Sequence, residues 1–221
     1  MENLNKTIDH TLLKPDATSS DIKKLCKEAK THHFATVCIQ PCHVKTAVEI
    51  LSGTDVGVCT VIGFPLGANL SSVKAFETRM AIDSGAKEID MVVNIGALKE
   101  HNYKLVEKDI AAVVEAASGR LVKVILETCL LTEEEIVEAC RCAMEAKAQF
   151  VKTSTGFSDS GATLDAVKLM KKTVGDTLQV KASGGIKNAA HAKAFLEAGA
   201  SRLGTSSSLA IIGLDEESIG Y

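Results

Sequence analysis

Apolar positions along the chain follow two alternating periods, and that alternation predicts the architecture. Short runs that alternate in polarity or are continuously apolar, at 7–13, 34–40, 56–64, 88–96, 121–127, 150–157, 178–186 and 202–205, read as strands. Between them apolar residues recur every three or four positions and read as helices. Examples are Ile22, Leu25 and Ala29; the segment 43–51; Val73, Phe76 and Met80, expected to face inward; the segment 103–117; Ile136, Val137, Cys140 and Met144; and Leu164, Val167 and Met170. Helix ends are marked as well. Ser19, Ser20 and Asp21 open the first helix, Ser71 or Ser72 caps the third, Thr132 with Glu135 has capping-box spacing, Thr163 and Asn188 cap two more, and Gly85 stops the third.

Eight strands alternating with helices, at spacings of mostly about thirty residues, predict one closed parallel barrel. The expected fold is α/β, a single (β/α)8 TIM barrel over 1–221, with 213–221 as a short acidic tail. An open doubly wound sheet is the alternative, but no Gly-x-Gly-x-x-Gly follows the first strand. The joints at 84–89, 145–150 and 197–203 resemble one another, a weak internal repeat.

Two strands carry a polar residue where a core residue is expected. The run 150–157 reads Phe-Val-Lys-Thr-Ser-Thr-Gly-Phe, and one βα unit later Leu178, Val180 and Ala182 form an apolar face opposite Gln179, Lys181 and Ser183. A lysine is seldom buried without a partner. Lys152 at an exposed strand end is the ordinary reading; two neighbouring strands with the same device make a shared interior the stronger one. In the strand near 90, Ile89, Met91 and Val93 oppose Asp90, Val92 and Asn94, so Asp90 points the same way as the lysines. Two adjacent ammonium groups repel, so one amine should lose its proton readily and attack carbonyls. With a carboxylate and a second lysine to move protons, that is the chemistry of a metal-free Schiff-base aldolase. Lys123 and Glu127 also share a strand face, and a pairing between them is expected.

Composition narrows the partners. At 221 residues, with 46% hydrophobic and 24% charged residues, the chain suits one globular domain. A net charge of −3 and dispersed basic residues argue against nucleic acid. There is no basic-then-apolar leader and no membrane-length apolar run, so a cytoplasmic location and no membrane partner are expected. Seven cysteines, among them Cys38, Cys59, Cys129 and Cys140, sit mostly in apolar patterns and read as reduced core residues. Cys38, Cys42 and His43 lack a second ligand pair at zinc spacing, so no metal is expected.

Barrels of this kind hold substrate at the C-terminal strand ends, with phosphate at the loops after strands seven and eight. Ser183, Gly184 and Gly185 precede one helix; Gly204, Ser206 and Ser207 precede a short apolar turn; Thr155 and Gly156 follow the Lys152 strand. Backbone N–H groups beside glycine and hydroxyls suit an anion. A small phosphorylated sugar or aldehyde is the expected substrate class.

The runs 88–98, 151–157 (Val-Lys-Thr-Ser-Thr-Gly-Phe) and 180–186 (Val-Lys-Ala-Ser-Gly-Gly-Ile), with Asp9-His10-Thr11, resemble the deoxyribose-phosphate aldolase family over nearly the whole chain. The resemblance implies reversible cleavage of 2-deoxy-D-ribose 5-phosphate to D-glyceraldehyde 3-phosphate and acetaldehyde, in deoxynucleoside breakdown, with neither metal nor organic cofactor. It implies Lys152 as the Schiff-base residue, Lys181 as the neighbouring cation and Asp90 as proton donor and acceptor. Gly156, Gly184, Gly185, Ser206 and Ser207 match phosphate-side positions, while Phe157 falls where family members vary. Cys38 borders the site or is a plain core residue. Tyr221 is a hypothetical proton-transfer aid from the tail. A different phosphosugar enzyme, such as an isomerase, and a phosphosugar-binding regulatory barrel are the competing readings. The sequence leaves the choice among monomer, homodimer and higher homo-oligomer open.

Overall fold

The computed structural model describes residues 4–214, so the tail from 215 onward, Tyr221 included, lies outside the described residues. Strands β1 (Ile8–Leu12), β2 (Thr36–Ile39), β3 (Gly57–Ile62), β4 (Glu88–Val92), β5 (Leu121–Ile125), β6 (Phe150–Lys152), β7 (Gln179–Ser183) and β8 (Arg202–Thr205) pair in chain order. All pairs are parallel, and β8 returns to β1 to close the barrel. Helices α1 (Ser19–His32), α2 (Val44–Leu51), α3 (Ser71–Asp83), α4 (Ile95–Lys99), α5 (Tyr103–Ala116), α6 (Glu133–Glu145), α7 (Leu164–Val174), α8 (Ala189–Glu197) and α9 (Ser208–Ile211) are threaded between and after them.

The period-two pattern divides each strand between two environments. Ile89, Met91, Val122, Val124, Val151, Val180 and Leu203 join Ile22, Leu25, Ile110, Val113, Val167 and Met170 in the main apolar core, between barrel and helices. The opposite faces point into the barrel. There a small apolar cluster of Leu13, Cys38, Cys59 and Val61, with Phe64 packed on it, fills one side. The other side is left to charged residues.

Local signals set most helix ends. Thr18, one residue before the expected opening, caps α1 through a capping box with Asp21. Thr132 and Glu135 form the expected box on α6, and Thr163 and Asn188 cap α7 and α8. The third helix departs from expectation twice. Its N-cap is Leu70, with no side-chain cap bond, and its apolar residues face out: Val73, Phe76 and Met80 are about half exposed. The buried side instead holds Lys74, Ala75, Thr78 and Ala81. An ion pair decides this orientation, since Lys74 Nζ reaches Asp109 on α5 at 2.6 Å and the Val92 carbonyl at 2.9 Å.

Every strand but β8 is also shorter than the run expected from sequence, and for β4 and β5 the cause is local. Asn94 caps the short α4 by accepting the Ala97 N–H, which ends β4 at Val92. β5 stops at Ile125, two residues before Glu127 takes a left-handed backbone (φ 58°). No helix among the described residues is long and apolar enough to cross a membrane.

Candidate active site

Register puts charged residues of neighbouring strands side by side. Asp90 is opposite Lys123, Lys152 opposite Lys181, and Lys181 opposite Arg202. Because all of them face the interior, the side chains converge. Asp90 lies at the centre. Its Oδ2 accepts from Lys152 Nζ at 2.8 Å and Lys181 Nζ at 2.7 Å, and its Oδ1 accepts from Lys123 Nζ at 2.8 Å. Lys181 also reaches Asp9 Oδ2 at 2.5 Å, and Lys123 reaches Glu88 at 2.5 Å. Arg202 closes the far side, with contacts to Asp9 Oδ1 at 2.6 Å and Glu88 Oε1 at 3.1 Å.

These seven groups comprise four cations and three carboxylates. Lys152, 2% exposed, is the cation with the least anionic company: its ion-pair partner is one Asp90 oxygen, and Lys181 shares that oxygen. Lys181 by contrast is clamped between two carboxylates. Burial pulls its proton affinity down, but Asp9 and Asp90 outweigh burial and raise its pKa above the usual lysine value. Lys123 is likewise raised well above its ordinary value by Asp90 against the pull of burial. For Asp90, burial pushes the carboxyl up, while Lys123, Lys152 and Lys181 together hold it well below the usual range. Asp9 is lowered too, with Lys181 the largest of the charges opposing its burial.

The expectation of two bare, mutually repelling ammonium groups is therefore corrected in part. Carboxylates stand between the lysines, and Lys181 is fixed as a cation by them. The expected Lys123–Glu127 pair is absent as well: Lys123 turns to Asp90, and Glu127 turns to the loop after β6. Glu127 accepts the Thr155 N–H at 3.2 Å and the Thr155 hydroxyl. The Phe157 N–H in turn donates to Thr155 Oγ1 at 3.0 Å. The turn through Gly156 (φ 87°) is thus held from β5, and it brings Phe157 edge-on to Phe64 at 5.2 Å.

The remaining anticipated positions divide by what surrounds them. Cys38 lies inside the barrel beside Cys59, its partner in register, with Sγ 4.0 Å from Asp90 Oδ2. Cys129 is only partly buried, unlike the core residue expected. The Cys38, Cys59 and Asp90 ligand atoms lie within 4.8 Å of one another, but a metal ion there would face three ammonium groups already bonded to Asp90. Ser183 spends its hydroxyl on the Ser154 carbonyl at 2.6 Å. Gly204 belongs to β8, where a Cβ would stand 2.9 Å from Lys181 Cε. Gly185 (φ 79°) faces open space, and Ser206 and Ser207 are half-buried before α9.

Sequence reasoning left out Asp9, Glu88, Lys123 and Arg202 as members of the site. Strand parity could have found Glu88, two residues from Asp90, and Lys123, but parity alone does not say which polar groups meet.

The DeoC/LacD family aldolase model matches residues 4–213. The chain belongs to this aldolase family. The deoxyribose-phosphate aldolase of Streptococcus sanguinis is 61% identical over 218 residues, 99% of each chain. That of Clostridium novyi is 58% identical over 221 residues, covering 99% of this chain and 100% of the relative. Among solved structures, the tetrameric deoxyribose-phosphate aldolase of Aeropyrum pernix superposes with a TM-score of 0.88 at 32% identity, covering 95% of this chain and 89% of that one. This aldolase is accordingly a carbon–carbon lyase of the deoxyribose-phosphate type.

Proposed function

We propose that the enzyme cleaves 2-deoxy-D-ribose 5-phosphate reversibly to D-glyceraldehyde 3-phosphate and acetaldehyde through a Schiff base on Lys152, within deoxyribonucleoside catabolism in the cytoplasm. The observation that carries the reading is the shared Asp90 oxygen, which holds Lys152 and Lys181 Nζ at 2.8 and 2.7 Å while Lys181 keeps a second carboxylate of its own. Attack on a carbonyl needs the neutral amine. With Lys152 neutral, three cations face three carboxylates, so the interior is balanced in the reactive state.

In the cleavage direction Lys152 Nζ adds to the aldehyde carbon of the open-chain sugar, and loss of water leaves a protonated imine. That imine takes up the electron pair of the bond between carbons 2 and 3 as the carbon-3 hydroxyl gives up its proton. The products are the three-carbon aldehyde phosphate and an enamine on Lys152. Protonation of the enamine and addition of water release acetaldehyde and restore the amine. Asp90, touching Lys152 Nζ, is placed to pass protons to and from it, and Lys181 supplies a fixed positive charge. Thr155, Gly156, Ser183, Gly184, Gly185, Gly204, Ser206 and Ser207 surround the proposed phosphate end; the geometry favours the backbone at Gly156 and Gly185 and the Ser206–Ser207 segment for direct contact. Thr155, Ser183 and Gly204 support these loops and Lys181 from behind.

Borohydride reduction in the presence of acetaldehyde, followed by peptide mass spectrometry, tests the reading. The expected adduct is on Lys152; a label elsewhere, or none, refutes it. A homo-oligomeric state is part of the proposal, supported by the tetramer of the Aeropyrum pernix relative.

A further inference from the structure

His10 is a polar ring set in an apolar layer. On β1 Asp9 points into the barrel, so Ile8, His10 and Leu12 point the other way, and Ile8 and Leu12 join the main core between barrel and helices. His10 is 2% exposed and tilts against the Phe34 ring at 5.2 Å. An imidazole buried there is costly unless both nitrogens find partners. Both do: Nδ1 lies 2.8 Å from Ser208 Oγ, and Nε2 lies 2.8 Å from Glu28 Oε2. A carboxylate only accepts, so Nε2 carries a hydrogen toward Glu28. Nδ1 of the neutral ring then accepts the Ser208 hydroxyl, whereas Nδ1–H of the charged ring donates to it. Ser208 is held in both states. Serine, histidine and carboxylate in that order make a hydrolytic triad elsewhere, but Ser208 is fully buried, which keeps its oxygen out of reach of an ester. What remains is a bridge between β1, α1 and the start of α9.

We propose that His10 is a positioning residue for the phosphate end of the site: through Ser208 it pins the Ser206–Ser207 segment, and Glu28 fixes the ring from behind. The role rests on the proposed phosphate placement. Register supplies the connection, because His10 is opposite Thr205, the last residue of β8, where the chain leaves the barrel for α9. The Thr205 hydroxyl donates to the Ile186 carbonyl at 2.7 Å and accepts the Ser207 N–H at 2.9 Å, which stitches this turn to the one through Gly184 and Gly185. Ser206 and Ser207 are thus fastened by Thr205 before them and by Ser208 after them. A phosphate monoester meeting groups already in place does not have to order them, so affinity rises. Among the described residues, His10, Glu28 and Ser208 make no hydrogen bond or ion pair with Lys152 or Asp90. Losing the bridge therefore falls on binding of the phosphate and not on bond cleavage.

Steady-state kinetics on 2-deoxy-D-ribose 5-phosphate test the role, with inorganic phosphate as a competing probe and borohydride labelling by acetaldehyde as a control that carries no phosphate. His10→Leu and Ser208→Ala should each raise KM and the inhibition constant of inorganic phosphate together by about tenfold, the scale of one lost buried hydrogen bond, while kcat stays within about twofold. Labelling of Lys152 should proceed at the wild-type rate. Glu28→Gln still accepts from His10 Nε2 and should remain within about twofold of wild type in all these measures. Ser208→Ala removes one oxygen and keeps the His10–Glu28 contact, which covers the case of His10→Leu failing to fold. Folded variants with wild-type KM and wild-type phosphate inhibition overturn the role. So does a rise in KM matched by an equal fall in kcat and slower labelling, the mark of a barrel loosened as a whole. A wild type that neither cleaves the sugar phosphate nor takes the acetaldehyde label counts against the aldolase reading itself, and the positioning role falls with it.

Discussion

At the scale of single residues, what distinguishes Lys152 from its neighbours is how each charge is shared. Lys181 has Asp9 and Asp90, and Lys123 has Asp90 and Glu88, whereas Lys152 has one shared oxygen. Replacing Lys152 with Ala should lower turnover by about 10⁴-fold or more, the scale seen when a covalent nucleophile is lost, and should abolish the borohydride adduct. Lys181→Leu removes a cation that shares the Asp90 oxygen with Lys152 and leaves Asp9 with fewer ion-pair partners, so it should lower kcat by about tenfold or more; an unchanged kcat would show that the fixed charge of Lys181 takes no part. Glu127→Ala tests the clamp on Thr155. It frees the turn at Gly156 and Phe157 and should raise KM for the sugar phosphate about tenfold, in line with the 1–3 kcal/mol typical of a lost buried hydrogen-bond partner. Acetaldehyde labelling should persist, because Lys152 and Asp90 are untouched.

Elements show how the barrel makes room for so much charge. A Cβ at position 204 would come within 2.9 Å of Lys181 Cε and 3.0 Å of Ser183 Cβ, so the glycine in β8 is the space Lys181 occupies. Gly204→Ala should cost about 1–3 kcal/mol of stability in urea unfolding, the usual scale of overpacking, and should lower kcat by displacing Lys181 from Asp90. Helix α3 is governed by Lys74, fully buried against α5. Burial lowers its pKa despite Asp109, so the pair is held at some cost, and breaking it strands a carboxylate. Much of the element plan was legible in the sequence: strands by alternation, α6, α7 and α8 by their caps. The orientation of α3 was not, because the periodicity of Val73, Phe76 and Met80 reports an apolar stripe without saying whether it meets the barrel or another surface.

For the whole molecule, the interior charges make stability depend on pH from both sides. Asp9 and Asp90 have lowered pKa values in the folded state, so they stabilise the fold above the unfolded carboxylate value near 4 and lose that contribution as pH falls through their folded values. Lys123 and Lys181 are raised, so their contribution is complete below the unfolded lysine value of about 10.4 and disappears as pH climbs through the folded values. The urea midpoint should therefore be flat from about pH 5 to 10 as far as these groups determine it and fall on either side. Asp90→Asn should flatten the acid limb.

The chain by itself determined the eight-fold alternation, the placement of Lys152, Lys181 and Asp90 on inward faces, and the glycine-rich turns that follow them. These follow from local periods and backbone preferences that need no partner. Tertiary structure alone decided which charges touch, that Asp9, Glu88, Lys123 and Arg202 complete the site, that Glu127 serves the β6 loop, and that α3 turns its apolar side outward. Closing the barrel brings Asp9 beside Gly204 and Arg202 against Asp9, 193 positions apart in sequence. No local pattern encodes a contact at that separation, because it depends on register accumulated around all eight strands.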